Sequence, residues 1–98
     1  MQGKKVRLRF VSTLKQLVDR DEKILEIEGE ATIGDLLRLI QATFSKDISR
    51  FLFENDSKTI RNDILILVND TDIGALDGIE TALSENDEVI LMPISHGG

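Results

Sequence analysis

Cysteine is absent from this 98-residue chain, and histidine occurs once, as His96. Without cysteine there can be no disulfide bond, no thiolate metal site and no cysteine nucleophile. One histidine cannot build a metal site, and no motif pairs it with a catalytic acid, so we interpret it as a solvated residue. The sequence therefore predicts no catalytic residue, cofactor site or metal site of its own.

Long apolar segments are missing as well. The longest unbroken aliphatic run is Ile64–Val68, far shorter than the roughly 20 residues that a bilayer-spanning helix needs. The N-terminal segment is basic, but no apolar stretch of signal-peptide length follows it. These absences predict a cytoplasmic protein that does not associate with membranes.

Basic residues are missing from the end of the chain. The net charge is -6, and every lysine and arginine lies at or before Arg61. Eight acidic residues follow, and such a surface repels phosphate backbones, so direct nucleic-acid binding is not expected. The acids either attract a basic partner or only keep a small domain in solution.

Phosphate-binding and calcium-binding motifs are absent too. There is no glycine-rich phosphate loop, and the segment beginning at Asp70 has Gly74 and Ala75 where a calcium loop requires a ligand and a glycine. A chain of this length buries roughly 60–70% of its unfolded surface, which leaves little room for a deep cleft. We predict a binding partner or substrate, monomeric when free, rather than an enzyme.

The residues that are present predict strands at both ends of the chain. Val6, Leu8 and Phe10 alternate with basic residues, as in a strand with one buried face. Lys23–Glu28 is predicted to pair with that strand in a hairpin-like arrangement. Ile64–Asn69 reads as an inner strand, and the last strand is predicted at Val89–Ile94.

One amphipathic helix is predicted between the strand pairs. Thr32 and Asp35 have the spacing of a capping box. The apolar residues that follow recur with helical spacing and form one stripe: Ile33, Leu36, Leu37, Ile40 and Phe44. A second short helix is predicted at Lys46–Phe53, followed by a polar turn at Glu54–Lys58.

Short turns and one core residue complete the prediction. Asn69–Asp72, Leu76–Gly78 and Ser84–Asp87 are predicted turns, and Leu83 is predicted to enter the core between the last two. Several strands with one main helix on one face form an α+β domain. A ubiquitin-like β-grasp sheet of four to five strands is one option among several. The predicted domain comprises residues 1–94, with residues 95–98 as a flexible tail.

Two glycines, Gly97 and Gly98, end the sequence directly after the last apolar strand. Glycine has no Cβ, so this segment could enter a narrow channel and present an unhindered carboxylate. That carboxylate could attack the α-phosphate of ATP, and a sulfur donor or an amine could then displace AMP. The motif alone does not distinguish this chemistry from a tail without function.

Four segments of the C-terminal third resemble the ubiquitin-related modifier family. The resemblance extends more weakly to Thr32–Leu37 and to the first strand, and it is least in Phe44–Asp63. Similarity to the small subunit of molybdopterin synthase and to the thiamine-pathway sulfur carrier is lower. Asn86 stands where many sulfur carriers have glycine. The four segments are Ile64–Ile73, Leu76–Leu83, Asn86–Pro93 and His96–Gly98.

The resemblance implies a β-grasp fold and a reactive C-terminus. A ubiquitin-activating-type enzyme, using ATP and magnesium, would adenylate Gly98, and a sulfurtransferase step would make a thiocarboxylate. Gly97 would support the reach of the tail. The sulfur would go to tRNA through a thiolation enzyme, and the tail could also be joined to lysines of other proteins. The alternatives are a molybdopterin synthase small subunit and a passive ubiquitin-like binding module.

The resemblance also implies the orientation of the last strand. It places Val89 and Leu91 towards the core, and it places Ile90 and Met92 on the outer face beside Leu67. An exposed apolar patch next to a reactive tail would be a docking site for a partner. The alternative is that another part of the chain, such as Lys46–Phe53, covers this face.

Overall fold

The computed structural model describes residues 3–11, 22–44, 46–54 and 59–94. The predicted connection between the first two strands, most of the polar turn near residue 56 and the predicted flexible tail at 95–98 lie outside these ranges. The described elements, in chain order, are β1 (Lys4–Phe10), β2 (Glu22–Ile27), α1 (Ile33–Thr43), α2 (Lys46–Leu52), β3 (Ile64–Val68), β4 (Thr71–Asp72) and β5 (Glu88–Pro93).

The strands form one mixed sheet in the order β2-β1-β5-β3-β4. β1 and β5 are parallel, and every other neighbouring pair is antiparallel. The predicted hairpin-like pair is therefore confirmed, with Val6 opposite Leu25. In the parallel pair, Leu8 is opposite Val89, so segments from the two ends of the chain lie side by side.

Helix α1 begins with the predicted capping box. The Thr32 hydroxyl accepts a hydrogen bond from the Asp35 N–H, and the Asp35 carboxylate accepts from the Thr32 N–H at 2.9 Å. The backbone hydrogen bond from Thr32 has the largest effect on the pKa of Asp35 and lowers it. Burial raises the pKa by less than this hydrogen bond lowers it, and Arg38 lowers it further. The box thus fixes the first turn and orients the apolar stripe.

The core lies between α1, α2 and one face of the sheet. Ile33, Leu36 and Ile40 of the helix are fully buried against alternate residues of the strands, and Leu83 is buried as predicted. Phe44 ends the helix as its C-cap and is only half-buried, but its ring packs against the ring of Phe10 in a T-shaped arrangement, with 5.4 Å between the centroids. The second helix is confirmed and ends one residue earlier than predicted, at Leu52.

One predicted turn is partly wrong. Residues Asn69 and Asp70 do form a turn, but Thr71 and Asp72 are strand β4, paired with the end of β3. Both turn residues have positive φ, at 50° and 72°, as the tight hairpin turns that suit strand twist require. Because the turn needs only two residues, the chain returns to the sheet at once.

Candidate outer-face docking site

Four apolar side chains lie on the sheet face opposite α1. Leu65 and Leu67 of β3 pair with Met92 and Ile90 of β5, respectively, and all four are half-buried. Their strand neighbours Val89 and Leu91 point to the other face and are 0% exposed. The predicted inward and outward orientations of β5 are therefore confirmed. We call Leu65, Leu67, Ile90 and Met92 the outer apolar patch.

Charged residues border the outer apolar patch on two sides. Across β1, Arg9 is in register with Ile90, and its guanidinium lies 3.4 Å from the Glu88 carboxylate. Across β4, Asp72 is in register with Leu67. An apolar centre with polar surroundings is typical of a protein-docking surface. α2 does not cover this face, since its buried residues Ile48 and Leu52 belong to the core on the other side.

The chain leaves β5 at a fixed point. The Ile94 N–H donates to the Asp63 carbonyl at 2.7 Å, and Ile94 itself is 41% exposed. The Asp63 carboxylate in turn accepts two hydrogen bonds from Arg61, which raise the pKa of the arginine. Gly97 and Gly98 lie outside the described residues, and the last described residue, Ile94, follows Met92 by two positions in the chain.

A polar cluster that the sequence analysis did not identify holds the start of β5. The Asn69 amide donates to the Asp87 carboxylate at 2.8 Å and accepts from the Glu88 N–H at 3.0 Å. The other Asp87 oxygen accepts from the Ser84 N–H at 2.7 Å. The sequence does contain a signal for this cluster, because an Asn-Asp pair occurs in each of the two turns and such side chains often form hydrogen bonds with nearby backbone groups. This cluster supports the placement of Ile90.

Leu65 was not among the residues predicted for the patch, although alternation along β3 could have identified it. Within the described residues, no group of three or more potential metal ligands comes together. No helix there is long and apolar enough to cross a membrane. The described residues bring a partly exposed apolar surface together with the end of β5, and a surface of this kind is a candidate docking site.

Comparisons with known proteins identify relatives of this chain. The family model described as Urm1 (Ubiquitin related modifier) matches residues 5–98. The small archaeal modifier protein 3 of Haloferax volcanii is 30% identical over 93 residues, covering 95% of this chain and 98% of that protein. The solution structure of the Haloferax volcanii HVO 2177 protein has a TM-score of 0.81 and 28% identity, and the match covers 98% of this chain and 88% of that one.

A more distant structure shares the fold. The putative molybdopterin converting factor subunit 1 of Pyrococcus furiosus has a TM-score of 0.71 at 21% identity, with 94% of this chain and 99% of that chain covered. The five-stranded mixed sheet with two helices is the ubiquitin-like β-grasp fold, as in solved small archaeal modifier and ubiquitin-related modifier structures. The chain therefore belongs to the ubiquitin-related modifier family, whose members are ubiquitin-like modifiers and sulfur carriers.

Proposed function

We propose that this protein is a sulfur carrier whose Gly98 carboxylate is activated by a ubiquitin-activating-type enzyme. The observation that carries the proposal is the family match, which extends through the last glycine. A carboxylate oxygen would attack the α-phosphorus of ATP and release pyrophosphate. Hydrosulfide from a donor would then attack the acyl carbon and release AMP and a proton, which leaves a thiocarboxylate on Gly98. Gly97 supports this step because, lacking Cβ, it can enter a narrow channel.

The outer apolar patch is the proposed docking surface for the activating enzyme. Leu67, Ile90 and Met92 are half-buried rather than covered, so a partner could still remove their remaining apolar surface from water. The chain leaves β5 beside Met92. A partner seated on the patch would therefore have the tail within reach of its nucleotide site.

The proposed sulfur acceptor is tRNA, through a thiolation enzyme, with attachment to lysines of other proteins as a second use of the same activated tail. The His96–Gly98 ending and the Asn69–Asp72 segment favour this branch of the family. The second candidate is the small subunit of molybdopterin synthase, and the shared fold of the molybdopterin converting factor subunit supports it. The third is a passive binding module without an activated tail.

The carboxylate chemistry is tested by intact mass measurement. The protein is incubated with its activating enzyme, ATP and a sulfur donor, and we expect exchange of one oxygen for sulfur. Deletion of Gly98 should abolish the exchange, while Ser95→Ala serves as a control that keeps both glycines. Equal thiolation of the truncated protein would show that Gly98 is not the reacting residue, and no adenylate at all would favour the passive module.

The acceptor is tested with the thiocarboxylate form. Separate reactions contain tRNA with a thiolation enzyme, or a molybdopterin synthase large subunit with its pterin precursor. We expect sulfur to appear in the tRNA. Transfer to the pterin alone would replace the tRNA proposal with the molybdopterin synthase candidate, while the activation of Gly98 would stand.

A further inference from the structure

β2 lies at the edge of the sheet, and its outward backbone groups have no strand beside them within the described residues. On the far side of β1, the Lys5 carbonyl accepts from the Asn86 N–H at 2.7 Å, and the Arg7 N–H donates to the Asp87 carbonyl at 2.8 Å. Backbone groups of Lys5 and Arg7 therefore point away from β2. Two residues opposite each other in an antiparallel pair point their backbone groups either both towards each other or both away. Glu26 and Ile24, which lie opposite Lys5 and Arg7, therefore direct their N–H and C=O groups away from β1, to the outer edge of the sheet.

A groove of about 710 Å³ lies beside this edge, between the end of β2 and helix α1. Its floor is apolar and includes Ile27, Ala31 and the half-buried Leu39. Its rim carries the carboxylates of Glu26, Glu28 and Glu30, and no lysine or arginine is among its described lining residues. A sheet edge with hydrogen-bonding groups, an apolar floor and a rim of one charge has the components that a strand-adding peptide needs.

We propose that the edge of β2 binds an extended basic segment of a partner protein as an additional strand. Main-chain hydrogen bonds to Ile24 and Glu26 would give affinity without regard to sequence. Alternate side chains of the segment would differ in role, because successive strand residues face opposite sides. The apolar side chains of the segment would lie over Leu39. Its basic side chains would lie on the outer face, beside Glu26 and near the acidic rim.

A second copy of this chain is a poor occupant of the same edge. In a two-fold antiparallel pairing centred on Ile24, Glu22 of each copy would lie directly opposite Glu26 of the other. Both residues are exposed on the outer face, and like charges directly opposite each other destabilise a strand pair. In this register charge disfavours a second copy, and the acidic rim of the groove favours a basic segment of another protein.

The groove lies at the opposite end of the sheet from the point where β5 ends. β2 runs antiparallel to β1, and β1 runs parallel to β5. Ile27 therefore lies opposite Lys4, at the end of the sheet where β5 begins, whereas Pro93 and Ile94 leave the sheet at the other end. A peptide in the groove would leave the end of β5 uncovered, so the groove and the outer apolar patch can be occupied at once.

The test uses three short synthetic peptides and amide chemical shifts of the intact protein. One peptide alternates valine with lysine, the second alternates valine with glutamate, and the third is the lysine peptide with alternate backbone nitrogens methylated. We expect the lysine peptide alone to bind and to shift the amides of Ile24 and Glu26 and the Leu39 methyl signals. The methylated peptide should fail because it cannot complete the hydrogen-bond ladder.

A matched pair of variants tests the acidic rim. Glu28→Gln/Glu30→Gln should weaken the lysine peptide about fivefold at low salt, whereas Asp77→Asn/Glu80→Gln, with the same net charge, should weaken it less than about twofold. Equal effects of both variants, binding of the methylated peptide, shifts confined to the outer apolar patch, or no binding would each overturn the proposal. Concentration-dependent dimers with β2 shifts in the absence of peptide would assign the edge to a second copy instead.

Discussion

Asn86 occupies a backbone conformation that most residues avoid. Its φ is 68°, and its N–H donates to the Lys5 carbonyl at 2.7 Å, which joins the turn before β5 to β1. Left-handed backbone costs residues with a Cβ roughly 1–2 kcal/mol, and asparagine tolerates it better than most. The glycine that many sulfur carriers have at this position thus has a conformational reason.

We expect Asn86→Gly to leave the free energy of unfolding nearly unchanged. Asn86→Ala should lower it by about 1 kcal/mol, because alanine has a Cβ and no side chain that can bind the local backbone. Urea unfolding followed by circular dichroism measures both. If the alanine and glycine variants unfold at the same urea concentration, backbone strain at this position is not significant.

The Asp35 carboxylate stabilises the protein only while it is ionised. Its pKa lies below the ordinary value of 3.8, so the folded state holds the charged form more strongly than the unfolded state does. Its contribution is therefore present above the unfolded pKa and is lost as the pH falls through the lower folded pKa. Because this carboxylate is 43% exposed, solvent screens part of the effect.

We expect Asp35→Asn to be less stable than the natural protein at neutral pH, by up to about 1 kcal/mol. The difference should shrink as the pH falls below about 5, because aspartate titrates at this position and asparagine does not, while all other carboxylates are common to both proteins. Thermal unfolding across this range measures the difference. A gap that stays constant down to the lowest pH would show that the charge of Asp35 contributes nothing to stability.

At the scale of one element, the two faces of β5 have different roles. The inner face contributes to the stability of the core, and the outer face is part of the proposed docking surface. Leu91 is fully buried, while its neighbour Met92 is half-buried in the outer apolar patch. Leu91→Asp would bury an unpaired carboxylate, which costs several kcal/mol or more, so we expect the domain to unfold. Met92→Asp should change the melting temperature little, because the new carboxylate remains in contact with water.

The same pair of variants tests the patch in function. Met92→Asp should fold normally, as shown by amide spectra, yet impair adenylation of Gly98 by the activating enzyme. Met92→Leu is the matched control, since it keeps an apolar side chain of similar volume. Normal activation of Met92→Asp would remove the docking role from the patch, and unfolding of this variant would show that the face is more closely packed than its exposure indicates.

At the scale of the whole molecule, the uneven charge distribution predicts salt-dependent association. All charged residues after Asn62 are acidic, and a basic partner would be attracted to that part of the chain. The Debye length falls from about 10 Å at 0.1 M salt to about 3 Å at 1 M. Association with the activating enzyme, followed by stopped-flow fluorescence, should therefore slow as the salt concentration rises.

Two variants with equal net charge distinguish local attraction from total charge. Asp77→Asn/Glu80→Gln should reduce the salt dependence of the association rate, whereas Glu28→Gln/Glu30→Gln should leave it nearly unchanged. Equal effects would mean that net charge alone matters. An association rate independent of salt would remove the electrostatic hypothesis.

Local signals in the sequence determined most of the elements. The capping box at Thr32 and the apolar stripe that follows depend on residues three and four apart, so the helix was predictable without knowledge of its neighbours. Alternation in β1 likewise identified its buried face. The exact extent of the turn after β3 was not predictable in this way, because both residues of the two-residue loop and both residues of β4 are compatible with a turn.

Only the tertiary structure determined which segments of the chain are neighbours. The parallel pairing of β1 with β5 joins Arg9 to Ile90, and nothing local in either segment specifies that register. The Asn69–Asp87 cluster and the position of β2 at the edge of the described sheet also depend on contacts between distant segments. The sequence by itself pointed to the C-terminal glycines, which are adjacent in the chain. The surfaces that would position a partner required the fold, because strand order and register are set by long-range packing.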